Sequence, residues 1–210
     1  MFLTADRIAV AGRVGNLVPP TSLAVGPHEV VFVECDQDRA TPFGLALTGR
    51  LALSDGVLTY EPDGDVDLAD ASALIDAPGI SSPEGSIDVP DAVAEELAIA
   101  GRPSGRKAVR AWLRHHDLDH LDGQPIEAVS GPDRVRLLCA LAVSRPRIRL
   151  LVLDTPDRHD GDLRDWQLLA QSYAEKGYAV VVICDDRSTR LLGVDAYRVG
   201  RTAELSRSDS

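Results

Sequence analysis

Lysine is nearly missing from this sequence. Of its 22 basic residues all but Lys107 and Lys176 are arginine, so chemistry that depends on a lysine has few places to stand. A basic surplus is also missing: 33 acids outnumber the bases and the net charge is −11. Nothing would offset phosphate repulsion over most of such a surface, which excludes nucleic acid as a partner. No apolar run approaches the roughly 18 residues of a membrane span. The opening "MFLTADRIAV" carries Asp6 and lacks the basic-then-apolar order of a signal peptide. Cysteine is scarce and odd in number (Cys35, Cys139, Cys184), which excludes a disulfide framework and reads as reduced thiols in a cytoplasmic protein. A redox pair between Cys35 and Cys184 would require neighbouring strands.

What remains is ordinary globular material. A chain of 210 residues, 44% hydrophobic and 26% charged, is long enough for one domain with a sizeable core. To about Thr59 the pattern is of short strands: "DRIAVAGRVG", "TSLAVG", the buried run "EVVFVE", and "GVLTYE" after a Ser-Asp-Gly turn. Phe43, Leu47 and Leu51 repeat at helical spacing, and Thr41-Pro42 reads as a helix start with Thr41 as N-cap and Pro42 at the first position. "LIDAPG" (74–79) ends another strand. From Asp91 to about His116 Val93, Leu97, Ala100, then Val109, Trp112 and Leu113, mark two helical faces broken at "GRPSGR". Residues 131–144 and 162–176 read as helices, "RLLVLD" and "YAVVVICDD" as buried strands, "AYRVGRTAEL" as a terminal strand or turn, and 206–210 as a disordered tail. Apolar strands alternating with helices predict an α/β fold with a mixed, mainly parallel sheet. The helical middle, about 78–130, interrupts it as an inserted lobe within one domain, 1–210.

The stretch "AVSGPDRVRLLCALAVSRPRIRLLVLDTPDRH" (128–159) carries the chemistry. Ser130 can cap the following helix, Pro132 fits its first turn and Asp133 complements its dipole. The strand "RLLVLD" then delivers Asp154 at its carboxyl end, where open parallel sheets bind ligands. This stretch resembles, without a gap, the signature motif, helix, turn and Walker B strand of the ATP-binding cassette ATPases, the nucleotide-hydrolysing subunits of ABC transporters. "GPHEVVFVECDQDRATPFGLALTGRLALSDGVLTY" is similar to the family's P-loop region, "IDVPDAVAEELAIAG" to the opening of its helical lobe, and "GYAVVVICDDRSTRLLGVDAYRVGRTAEL" to its switch strand and terminal hairpin. The resemblance runs along nearly the whole chain and implies a P-loop NTPase-like fold, with ATP and magnesium as the family's cofactors.

The motifs themselves are degenerate. Where the family has Gly-Lys-Ser/Thr this chain has Asp38, Arg39, Ala40, Thr41 and Pro42, with the lysine position at Ala40 or Thr41. Glu34, Asp36 and Asp38 put negative charge where phosphate amides and lysine belong, each costing on the order of 1–4 kcal/mol against an anion about 4 Å away. Asp154 keeps the metal side of Walker B. Thr155 stands at the catalytic glutamate and cannot act as a general base near neutral pH. Cys184 replaces the switch histidine, and the metal-coupling glutamine falls near Ala77. No aromatic in "AVAGRVGN" is available to stack on adenine. Ser130, Gly131 and Asp133 remain in the signature, but Pro132 removes one amide.

These losses predict a pseudo-ATPase without detectable nucleotide binding, acting as a docking or regulatory partner of a membrane transport component through the 78–130 lobe. One alternative is an asymmetric pair, in which this chain lends Ser130 and Gly131 to ATP held by an intact cassette. Another is a stand-alone module whose acid-lined loop takes a cationic ligand. "HHDLDH" (115–120) and His159 read as a solvated helix end and a loop histidine, "GRVG" (12–15) as a turn, and the acid runs 63–70 and 117–122 as solvated loops.

Overall fold

A computed structural model describes residues 2–61 and 66–201; the 206–210 tail, with Asp63 and Asp65 of the acidic run, lies outside the described residues. The chain runs β1 (Phe2–Ala11), β2 (Asn16–Val25), β3 (Val30–Glu34), α1 (Gln37–Leu47), β4 (Asp55–Glu61), α2 (Leu68–Ala71) and β5 (Ser72–Ile75). It continues with α3 (Val89–Ile99), α4 (Arg106–His115), α5 (Gly131–Ala142), β6 (Leu150–Asp154), α6 (Leu163–Glu175), β7 (Ala179–Cys184), α7 (Asp186–Leu192) and β8 (Ala196–Arg198). Strands β2, β1 and β4 make an antiparallel sheet in that order, and "GRVG" closes its hairpin through Gly12 N–H to Gly15 C=O at 2.8 Å. The second sheet, β5-β6-β7-β3-β8, is parallel at every pairing. Its central strands β6 and β7 are buried on both faces, which is why they read as unbroken apolar runs rather than alternating ones.

Helix α1 departs from expectation. It begins at Gln37 behind Asp36, not at Thr41, and Pro42 lies inside it. The reason is tertiary: Ala40, Phe43, Gly44 and Leu47 fall at i, i+3, i+4 and i+7, and all are buried against the sheets. That face starts before Thr41, so burial carries the helix back through the local Thr-Pro start signal. Gly44 is where the helix meets the sheet most closely, since a Cβ there would lie 2.6 Å from Leu74 Cδ1. Helix α7, which carried no periodic signal, forms behind Asp185, whose carboxylate accepts the Arg187 N–H at 2.8 Å.

Three apolar clusters result. One joins the antiparallel sheet, α1 and one face of the parallel sheet; another joins the opposite face to α5 and α6. The third is built by α3, α4 and α5, with Val89, Leu97, Leu113, Leu118, Leu121 and Ile126 essentially free of solvent. Each such leucine contributes about 1.5–3 kcal/mol of burial. Helix α5 serves both of the last two clusters: Leu137, Ala140 and Leu141 face α3 and α4, while Val135, Cys139 and Ala142 face the sheet.

Candidate functional site

The carboxyl ends of the parallel strands gather the residues singled out above. Strand β3 ends at Glu34, and only Cys35 and Asp36 separate it from α1. There is no room for a wide loop of free amides. The Cys35 N–H donates to the Cys184 carbonyl (3.0 Å), and the Arg39 N–H to Asp36 C=O (3.0 Å). The first turn of α1 carries two acids, Asp36 as N-cap and Asp38, although neither carboxylate caps its amides. Arg39 makes only an exposed pair with Asp36 at 3.6 Å, worth little in water. Glu34 is held by Arg198 (2.5 Å) and by the Thr189 hydroxyl (2.8 Å).

Behind this turn Thr41 Oγ1 donates to Asp154 Oδ2 at 2.5 Å, and Thr155 Oγ1 donates to Asp154 Oδ1 at 3.0 Å. Asp154 is 2% exposed. Both of its carboxylate oxygens are therefore committed to hydroxyls, and Thr155 adopts a left-handed backbone, φ 45°. Cys184 is buried in the second cluster with Phe32 and Trp166, on the sheet face opposite Asp154 and α1. Burial pushes its thiol up, with Asp157 and Glu34 adding to the effect, and burial raises Cys35 to about 12. Strands β3 and β7 are neighbours, but Cys35 packs in the first cluster and Cys184 in the second, so the two thiols do not face each other.

Ser130 caps α5: its hydroxyl accepts the Asp133 N–H at 3.4 Å and donates to Asp133 Oδ2 at 2.9 Å. His120 Nε2 lies 3.0 Å from the same carboxylate oxygen. Burial works against ionisation of Asp133, but the hydrogen bonds from His120 and Ser130 outweigh it and hold the carboxyl below its usual range. Gly131 abuts the loop after β6; a Cβ there would lie 2.2 Å from the Asp160 carbonyl oxygen. His116 packs against Trp112 with ring centroids 4.2 Å apart and planes tilted by 41°.

The largest surprise is a buried ion cluster around Asp76, immediately after β5 and beside Ala77. Arg134 of α5 grips Asp76 with two donors, Nε to Oδ2 (3.0 Å) and Nη2 to Oδ1 (2.9 Å). Arg158 Nη2 stands 2.9 Å from Asp76 Oδ2, and His159 Nε2 is 2.7 Å from the same oxygen. Arg158 also donates to the Asp76 carbonyl, to the Asp154 carbonyl (2.7 Å) and to Thr155 Oγ1 (3.0 Å). Desolvation opposes the charge on Asp76, yet the two guanidiniums and His159 overcome it and keep the carboxyl depressed. His159 thus belongs to a site rather than to an idle loop. Asp76, Arg134 and Arg158 gave no signal of their own, because an aspartate ending "SALID" and arginines in "DRVR" and "PDR" do not name their partners.

These residues do not fit a magnesium-bound triphosphate. The first turn of α1 carries acids and no lysine, each oxygen of Asp154 already accepts a hydroxyl, and the nearest cation to Asp154 is the guanidinium of Arg158, 3.9 Å from Oδ1. Among the described residues no group of three His, Cys, Asp or Glu side chains is placed to hold a metal. No helix among them is long and apolar enough to cross a membrane.

No protein-family model and no curated protein sequence matches the chain. Solved structures do. A nucleotide-free ATP-binding cassette from an ABC transporter superposes with a TM-score of 0.70 at 15% identity, over 94% of this chain and 87% of that one. The cbiO1 subunit of Clostridium perfringens, part of the ABC transporter complex cbiONQ, gives 0.67 at 17% identity, over 96% and 86%. An ATP-binding subunit of an ABC transporter gives 0.65 at 15% identity, over 98% and 90%. At such low identity the likeness speaks for architecture, and it is unambiguous: this chain has the fold of an ABC transporter ATP-binding subunit.

Proposed function

We propose that this chain is a non-hydrolysing cassette subunit, cytoplasmic, that docks on a membrane transport component as a structural or regulatory partner. The observation that carries the reading is the first turn of α1. It fills the place of a phosphate-binding loop with a tight, acid-flanked helix start. The Thr41–Asp154 hydrogen bond supports aligning Thr41 with the family's P-loop Ser/Thr, which puts the lysine position at Ala40. Thr155 and Cys184 then stand at the catalytic glutamate and the switch histidine, one without a usable base and the other sunk in the core.

The helical lobe, about 78–130, supplies the docking surface in this reading. Between β5, residues 80–87, α3 and α5 runs a groove of about 480 Å³, lined by apolar residues such as Ile87, Leu138 and Leu141 and by charged ones such as Glu95, Glu96 and Arg145. A groove that mixes apolar and charged side chains suits a short amphipathic cytoplasmic helix of a transport component, and the similar solved structures come from such transporters. Pairing with a second cassette fits the same architecture. The variant in which Ser130 and Gly131 serve a partner's ATP is disfavoured, because Ser130 is bonded to Asp133 and Gly131 lies against Asp160. The cation-binding alternative is disfavoured because Glu34 is already held by Arg198 and Thr189.

The test is calorimetry and phosphate release with Mg-ATP on the purified chain, alongside capture by the membrane transport component. No binding heat and no turnover are expected, with capture lost in Leu138→Arg. Turnover by the chain alone would overturn the reading.

A further inference from the structure

Asp76 is 4% exposed, and three distant pieces of chain meet at it. Its own segment leaves the edge strand β5, Arg134 comes from α5 some 58 residues on, and His159 from the loop after β6, 83 residues on. Arg158 of that same loop reaches across from Asp76 to the carbonyl of Asp154, spanning the ends of adjacent strands β5 and β6. Two buried carboxylates, Asp76 and Asp154, are matched by two guanidiniums, Arg134 and Arg158, with His159 beside Asp76, so no added ion is needed to offset the acids. Asp76 holds a left-handed backbone, φ 60°, that a non-glycine residue keeps only where its surroundings over-determine it. Ser82, at the start of the segment leading into the lobe, also accepts from Arg134 Nη2 at 2.8 Å.

We infer that Arg158 is the resident cation of this centre, bridging Asp76 and the end of β6. Together with Arg134 it makes Asp76 a permanent latch joining the sheet edge, helix α5 and the loop after β6. The arrangement of the lobe is then set by the chain itself, and neither nucleotide nor metal is needed to draw these segments together. The inference rests on the docking reading only for its consequence, which is a docking surface held in one shape. Hydrogen exchange tests the latch and capture tests the docking, so either can fail without the other.

The experiment is hydrogen exchange by mass spectrometry on the full chain, with and without millimolar Mg-ATP, for the native protein, Arg158→Gln and Asp76→Asn. Native exchange at residues 76–84, 126–136 and 158–161 is expected to be unchanged by Mg-ATP. In Arg158→Gln, exchange at 158–161 and 76–84 should rise about tenfold or more while β6 and β7 stay protected. In Asp76→Asn the rise should extend to 126–136. Arg158→Lys, which keeps the charge but loses the planar fork, should fall between native and Arg158→Gln. Should Asp76→Asn fail to fold, Arg158→Gln decides alone, because Arg134 still pairs Asp76 there. Unchanged local exchange in Arg158→Gln, an equal rise in β6 and β7, or a Mg-ATP effect on the native loop would each overturn the latch.

Discussion

At the scale of single residues the chain shows how charge moves from solvent into structure. Asp76 has an ordinary value of 3.8 that its guanidinium partners lower despite desolvation. A carboxyl depressed on folding adds stability that is complete above its unfolded value and is lost as pH falls through the lower folded value. The stability gap between the native protein and Asp76→Asn should therefore be constant near neutrality and shrink below about pH 4. Urea unfolding at several pH values measures it, and a gap that ignores pH would contradict the charge pairing. Nothing in the composition announced this residue. An aspartate in sequence reads as solvated until a fold brings it, dehydrated, against arginines many tens of positions away.

Helix α1 sets the lesson for elements. Pro42 is its sixth residue, past the four positions whose N–H groups lack intrahelical partners, so its missing donor breaks a bond to the Asp38 carbonyl. Interior proline costs about 3 kcal/mol relative to alanine, offset in part by about 0.4–1 kcal/mol from stiffening the unfolded chain. Pro42→Ala should gain about 1–2 kcal/mol of unfolding free energy with an unchanged denaturant slope. No gain would mean that the ring itself is packed to advantage. Most elements were readable because their signals are local and periodic: the buried runs of β6 and β7, the Ser130 cap of α5, and the break between α3 and α4. The start of α1 was not. A good local signal, Thr41-Pro42, competed with an apolar face beginning at Ala40, and only contact with two sheets shows that face to be worth more. Helix α7 was silent for a related reason, since seven residues behind one aspartate cap carry too little periodicity to register.

Across the whole molecule the shared use of α5 matters most. Its two faces belong to separate apolar clusters, so the lobe cannot unfold without exposing part of the sheet's core. The chain's two tryptophans report on these regions separately: Trp112 sits in the lobe cluster and donates Nε1 to Ser144 (3.3 Å), and Trp166 sits in the sheet cluster. Single-tryptophan variants, Trp112→Phe and Trp166→Phe, should give coincident denaturant midpoints by fluorescence once each variant's own stability is taken into account. An earlier transition at Trp112 would show that the lobe and sheet are independent units.

The sequence by itself determined the architecture and which side chains stand at each position. Apolar periodicity specifies which segments bury, and a lysine or glutamate that is not encoded cannot be supplied by folding. Only the tertiary structure decided how those side chains are used: a helix start directly behind β3, a cysteine turned into the core, and Arg158 between two aspartates. Those outcomes depend on desolvation and on pairing between remote positions. Both exist only after the chain has closed around them.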